Sequence, residues 1–224
     1  MFDEPLIGVA TSDDPLFYKL RAQNPGWGFC ALTYWLPEVQ SVISYFLPFS
    51  DQVRQSNYCE GLPADECLYG RFEGEACNEA IRIHLAEKVK KLGGEAVIPI
   101  LDPRFSIVDK QSNWSERHVA FIAGLGTFGL HKSIITKRGC AGRFGSIVTS
   151  LKILPTIREY EYLEEYCTGC GQCIDRCPCF AITSTGMNIW KCSSYLDQMK
   201  EKFAPRYGCG KCQTLVPCER NQPV

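Results

Sequence analysis

The chain has 224 residues, 45% of them apolar and 22% charged, with a formal net charge of −1 at pH 7. That length holds one good core, or one core with a small appendage, and the charge balance does not mark a nucleic-acid or membrane-surface binder. No apolar run approaches the ~20 residues of a bilayer span, and the start MFDEPLIGVA lacks the basic and apolar regions of a secretory leader, so a cytoplasmic protein is expected.

In chain order, WLPEVQSVISYFLPFS predicts a short helical entry at 37–39 and a buried strand over 41–46. NYCEGLPADECLYGRFEGEAC, from 57 to 77, reads as a loop, either a lid or an insertion. CNEAIRIHLAEKVKKLGG predicts an amphipathic helix with Ile81, Leu85, Val89 and Leu92 inward, closed by Gly93 and Gly94. AVIPIL reads as a buried strand. SERHVAFIA reads as a helix with Ser115 as its N-cap and Val119, Ile122 and Ala123 on one face. Strands near 134–136 and 145–151 complete a mixed α/β layer with its own core. After Pro155 the composition shifts to short, cysteine-punctuated segments with little core of their own.

Gly124, Gly126 and Gly129 in AGLGTFGLHKS spell G-x-G-x-x-G. A dinucleotide fingerprint needs a strand before the loop and a helix after it. Here the order is reversed, and no acidic residue stands between Gly126 and Glu159 to hold a ribose hydroxyl. The loop fails as a nicotinamide site.

Of fourteen cysteines, Cys30, Cys59, Cys67, Cys77 and Cys140 are scattered, whereas nine crowd into 167–218. Clustered cysteines without a secretory leader point to metal ligation and away from a disulfide scaffold. Cys167-x2-Cys170-x2-Cys173-x3-Cys177-Pro178 is the spacing of an iron–sulfur module. Its first three thiolates hold one [4Fe–4S] cubane and the fourth serves a second. Cys192, Cys209 and Cys212 supply partners for Cys177, and Cys218 completes the first cubane. The alternative is one cluster with a structural zinc or loose thiols. Cys179 is spare in this count and reads as a free thiol.

Glu116-Arg117-x2-Ala120-x2-Ala123-Gly124-Leu125-Gly126-x2-Gly129, followed by a β-rich stretch and a ferredoxin module, resembles the epoxyqueuosine reductases, relatives of the corrinoid reductive dehalogenases. WLPEVQSVISYFLPF resembles that family's N-terminal strand and YGCGKCQ its last cluster motif. The resemblance implies an α+β fold: a nitroreductase-like α/β domain that binds base-off cobalamin, here 1–158, then a two-cluster ferredoxin-like domain, 159–224. It implies that Glu116, Arg117, Gly124, Leu125, Gly126 and Gly129 contact the corrin, with small residues admitting a flat ring; a helix cap and tight turn without ligand is the alternative. His131, just after the loop, is placed to approach the same ring. Asp109 matches the family's proton-donating aspartate, although Lys110-Gln111-Ser112 replaces the T-G-P that follows it. A solvated turn is its other reading. Gly74-Glu75-Ala76-Cys77-Asn78 stands where the family has G-x-D-Y-H, which makes Cys77 the rival acid. The family's C-terminal tRNA-holding repeats are not in this sequence, so tRNA is doubtful as a substrate.

These readings describe a cobalamin-dependent reductase. Its partners are a low-potential donor of the ferredoxin or flavodoxin type and a small-molecule or modified-nucleoside substrate, with no membrane involved. Two rivals stand beside it: an iron–sulfur electron-transfer protein, and a corrinoid-binding protein without turnover. Five basic and no acidic residues lie between Lys132 and Lys152, a solvated face or a dock for an anionic partner.

Overall fold

The computed structural model describes residues 1–24 and 26–223. A four-stranded antiparallel sheet organises it, with its strands in the spatial order Leu6–Thr11, Ser41–Pro48, Gly142–Thr149 and Ala96–Val97. Strand β1 (Leu6–Thr11) leads into helices α1 (Pro15–Gln23) and α2 (Leu32–Trp35), then β2 (Ser41–Pro48). The entry helix therefore ends before residue 37; Pro37 and Glu38 form a turn, with Val39 N–H donating to Leu36 O. Strand β2 is central, buried along nearly its whole length, and pairs with β1 and with β8 (Gly142–Thr149) from Ser41↔Thr149 to Pro48↔Gly142.

Helices α3 (Asp51–Ser56) and α4 (Asp65–Lys91) follow. The expected loop over 57–77 is thus overturned from residue 65 onward, because α4 runs unbroken for 27 residues. Gly70 and Gly74 read as helix breakers, yet both lie on the buried face. A Cβ on Gly70 would sit 2.9 Å from Val53 Cγ1, and one on Gly74 would sit 3.0 Å from the Phe2 ring. Each costs roughly 1 kcal/mol in helix propensity, which close packing offsets. Asp65 and Glu66 in the first turn and Lys88, Lys90 and Lys91 in the last complement the helix dipole.

The inner face of α4 is also rotated from the apolar pattern. Asn78, Arg82, Ala86 and Val89 are buried, whereas Leu92 is 75% exposed. The reason is β3 (Ala96–Val97), which covers only the end of β8. Asn78 Nδ2 and Arg82 Nη2 donate to Phe144 O at 3.0 and 3.2 Å along the edge left open. A sheet edge needs donors, so polar residues point inward there. Gly93 and Gly94 close α4 as expected, donating to Lys90 O and Val89 O. AVIPIL is only half a strand, since after β3 it turns into a 3-10 helix at Pro99–Leu101.

A hairpin of β4 (Ile107–Val108) and β5 (Gln111–Ser112) precedes α5 (Glu116–Ile122), which packs on β2 and β8. Ser115 caps α5, accepting from His118 N–H, and Val119, Ile122 and Ala123 are buried as the pattern requires. Next comes a second hairpin, β6 (Gly126–Phe128) with β7 (Ile134–Thr136). The cysteine-rich end holds α6 (Gln172–Asp175), the β9 (Ile182–Thr183) and β10 (Gly186–Met187) ribbon, and α7 (Ile189–Phe203). It is not without a core: Tyr160, Tyr166, Cys173, Cys177, Ala181, Ile182 and Cys218 join the same apolar cluster as Trp35, Val42 and Val148.

Candidate iron–sulfur centre

The eight predicted ligand cysteines sort into two places. Cys167, Cys170, Cys173 and Cys218 line one small cavity, together with Leu130, His131, Ile135 and Val216. Cys167 and Cys170 lie on the loop before α6, and Cys173 lies inside it; Cys218 arrives from the tail, 45 residues later than Cys173. The tail is tied down by Cys140 N–H donating to Cys218 O at 2.9 Å and by buried Glu219. Glu219 accepts from Tyr58 Oη at 3.0 Å and pairs with buried Arg54 at 3.4 Å. Burial pushes the Cys173 thiol up to about 11, and neighbouring Cys218, Cys167 and Cys170 add to the rise.

Cys177, Cys192, Cys209 and Cys212 form the second set. Burial raises Cys192, and Cys177 raises it further. Burial lifts Cys209 to about 11, with Cys192 and Cys177 adding to it against nearby Lys211. Burial, then Cys209, Cys192, Cys177 and Cys173 in turn, raise Cys212. Raised in this way, Cys192, Cys209 and Cys212 keep their protons in water and release them on binding a metal. Cys179 is not remote, because its Sγ lies 3.7 Å from Cys177 Sγ. Cations flank this set: Arg71 and Arg117 both act on Cys192. Lys211, 2% exposed, donates to Cys59 O at 2.6 Å and Asn57 O at 3.2 Å.

The glycine loop answers to the fold itself. Gly124 N–H donates to Phe121 O and Leu125 N–H to Ala120 O, a Schellman close of α5 with Gly124 at φ 84°. A Cβ on Gly126 would overlap the Ile135 carbonyl across the hairpin, and one on Gly129 would meet the His131 ring at 2.9 Å. Leu125, Gly126 and Gly129 are buried. His131 is buried, with Nε2 3.5 Å from Cys218 Sγ.

Glu116 and Arg117 part company at the start of α5. Arg117 is exposed and donates to Lys132 O at 2.6 Å. Glu116 turns inward, accepting from Ser146 Oγ at 2.5 Å and lying 3.4 Å from Arg82. Burial raises its carboxyl above the ordinary range, against Arg82 and Ser146. It ends a continuous network: Arg143 donates to Arg71 O and pairs with Glu75, Glu75 pairs with Arg82, and Arg82 pairs with Glu116. Within it Arg71 Nε, Arg82 Nε, Arg143 Nε and Glu116 Oε1 are buried without hydrogen-bond partners. Buried groups like these are satisfied by water or by a polar ligand.

Asp109 and Lys110 form the two-residue turn of the β4–β5 hairpin, at φ 49° and 62°, and both are exposed. Lys110 Nζ lies 5.8 Å from the ring centroid of Trp190 on α7, two residues before Cys192. Cys77 is exposed on α4. Between Lys132 and Lys152, four of the five cations pair with acids elsewhere: Lys132 with Glu164, Lys137 with Glu159, Arg138 with Glu4, and Arg143 with Glu75.

Residues 160–183 match the 4Fe-4S binding domain family, a span that contains Cys167, Cys170, Cys173 and Cys177. An epoxyqueuosine reductase from Bacillus cereus is 27% identical over 193 residues, 81% of this chain and 49% of that protein. The chain is epoxyqueuosine reductase-like. It spans about half the length of that curated relative. A reductive dehalogenase whose structure is described in terms of B12-dependent dehalogenation shares the fold at a TM-score of 0.65 and 16% identity, over 98% of this chain and 30% of the other. An epoxyqueuosine reductase solved with an epoxyqueuosine-modified tRNA stem loop shares it at 0.56 and 20% identity, over 100% and 63%. The expectation that tRNA is a doubtful substrate is not borne out, as a relative of this fold is seen with a modified tRNA stem loop. Among the described residues no helix is long and apolar enough to cross a membrane.

Proposed function

We propose that the chain is an iron–sulfur reductase of the epoxyqueuosine reductase type. The two thiol sets would hold two [4Fe–4S] clusters able to relay electrons from an external low-potential donor, and a corrinoid would supply the reducing centre for a small or modified-nucleoside substrate, a tRNA-borne one included. One observation carries the reading: the thiols sort into Cys167, Cys170, Cys173 and Cys218 around one cavity and Cys177, Cys192, Cys209 and Cys212 as a second set. This sorting supports the crossed ligation of a two-cluster ferredoxin, and soft thiolates in fours suit iron–sulfur clusters.

The corrinoid rests on other support, namely the B12-dependent dehalogenation printed for a protein of the same fold and the unpartnered polar atoms between α4, β8 and α5. When bound, a corrinoid supplies a reducible cobalt. Arg71, Arg82, Arg143 and Glu116 would meet its polar rim, with Arg117 at the edge of the site. The glycine loop positions α5 and the β6–β7 hairpin from behind. Asp109 is the proton donor in this reading, carried on a turn whose neighbour Lys110 already reaches α7. Exposed Cys77 is the rival donor. The division of labour falls at 158/159, with substrate and corrinoid before it and electron entry after it, in the cytoplasm.

Anaerobic reconstitution tests the reading. About eight iron and eight sulfide per chain are expected, and about four iron with bound zinc would overturn the second cluster. Cys218→Ala should remove one EPR signal and Cys192→Ala the other. Loss of the same signal in both variants would refute the crossed ligation.

A further inference from the structure

Three side chains far apart in sequence meet beside the first thiol set. His131, Cys140 and Cys218 are 4%, 0% and 8% exposed, and their ligating atoms lie within 4.8 Å of one another. Hydrogen bonding fixes the imidazole tautomer. Ser133 N–H donates to His131 Nδ1 at 3.0 Å, so Nδ1 is the acceptor and the ring proton sits on Nε2. Nε2 faces Cys218 Sγ at 3.5 Å, and Cys140 Sγ lies 3.8 Å from the same sulfur.

The surroundings hold this arrangement rigidly. Gly129 leaves the room that the imidazole occupies, and the Cys140 backbone is bonded to the Cys218 carbonyl. Hydrogen bonds to a ligand sulfur draw charge away from the cluster and favour its reduced form, which carries one more electron.

We propose that His131 and Cys140 are positioning residues that raise the reduction potential of the cluster held by Cys167, Cys170, Cys173 and Cys218, by donating Nε2–H and S–H hydrogen bonds to Cys218 Sγ. The inference rests on the two-cluster reading above. It separates the potentials of two clusters of the same type, and so sets the direction in which electrons run between them.

The test is an EPR-monitored redox titration of the anaerobically reconstituted full chain. His131→Leu should lower the midpoint of the first cluster by at least the equivalent of a tenfold change in its oxidised-to-reduced ratio, 59 mV for one electron. The second cluster should not move. His131→Asn, which keeps an N–H donor, should recover part of the shift. Cys140→Ala should move the midpoint less, in the same direction, and Cys140→Ser should restore it. Resonance Raman bands of the iron–thiolate bonds should shift in D2O for the wild type and lose that sensitivity in His131→Leu. An unmoved potential in His131→Leu with both clusters present overturns the inference. Loss of the first cluster in Cys140→Ala overturns it too, since Cys140 would then be a ligand. Failure of the parent reading looks different: the wild type itself would lack a second EPR signal, or Cys218→Ala would keep both.

Discussion

The two thiol sets differ in what surrounds them more than in what they contain. The first sits in a cavity walled by Leu130, Ile135 and Val216, and its extra contacts are hydrogen-bond donors without charge, His131 and Cys140. The second lies among cations, with Arg71 and Arg117 acting on Cys192 and Lys211 on Cys209. On the two-cluster reading proposed above, one protein would apply two different means to clusters of one kind: short-range hydrogen bonds in an apolar wall, and charge at longer range. The first would be sensitive to packing and the second to the charge of its neighbours.

Gly126→Val attacks the packing side most severely. Its branched side chain would overlap the Ile135 carbonyl, so the β6–β7 hairpin that leads into His131 cannot close. A loss above about 4 kcal/mol is expected in chemical denaturation, with iron lost first from the set containing Cys218. Retained stability would mean that the hairpin does not support that set.

Glu219→Ala loosens the tail without touching a thiol. It leaves buried Arg54 without its most buried partner and Leu215 N–H without its acceptor. A cost of about 3 kcal/mol is expected. Iron chelation by a competing ligand should quicken at the first set only, and equal quickening at both would erase the contrast.

A pH titration sharpens the comparison further. Burial, then the charges of Arg117 and Lys132, depress His118 from 6.5 to about 3. The ring packs between Trp27 and Phe128, behind the hairpin of the first set. Above pH 6.5 the ring is neutral folded or unfolded, and nothing is lost. As pH falls below 6.5 the unfolded chain takes up the proton and the folded one does not, so stability declines until about pH 3. Between pH 6.5 and 5 the loss should be about 2 kcal/mol, and His118→Phe should remove that part of the slope.

Lys211→Met has the smallest expected effect. Cys59 O and Asn57 O lose a charged donor, for a cost of about 1 kcal/mol in unfolding experiments. The second cluster's potential should fall with the lost positive charge, and because Lys211 is buried, salt should change the difference little. A change confined to the first cluster would contradict the division drawn above.

Much of this was legible in the sequence. The helix at 116–122 with its Ser115 cap, the strands at 41–48 and 134–136, and the Gly93-Gly94 close all follow from periodicity and cap chemistry. Residues 65–77 did not, because a helix with Gly70 and Gly74 on its packed face looks broken until its neighbours are known. Helix α7 was hidden too, although Asn188 caps it by accepting from Trp190 and Lys191 N–H; that cap was the available signal. The G-x-G-x-x-G pattern marked positions where a Cβ has no room, although the neighbours that crowd them, the Ile135 carbonyl and the His131 ring, could not be read from it. The meeting of His131 and Cys140 with Cys218 spans 87 and 78 positions, and local pattern carries no trace of contacts so distant.

The tail that brings Cys218 to the cavity has a mechanical consequence. Once a metal centre joins Cys167 to Cys218, it closes a loop of roughly 50 residues. By chain-entropy reasoning such a staple removes about 4 kcal/mol worth of freedom from the unfolded ensemble. Because Cys218 O is bonded to Cys140 N–H and Glu219 O to Ala141 N–H, the staple also clamps the end of the chain onto the start of β8. With the ligation proposed above, the inorganic centre would be a removable fastener of the whole α/β layer, and its oxidation would slacken protein far from any thiol.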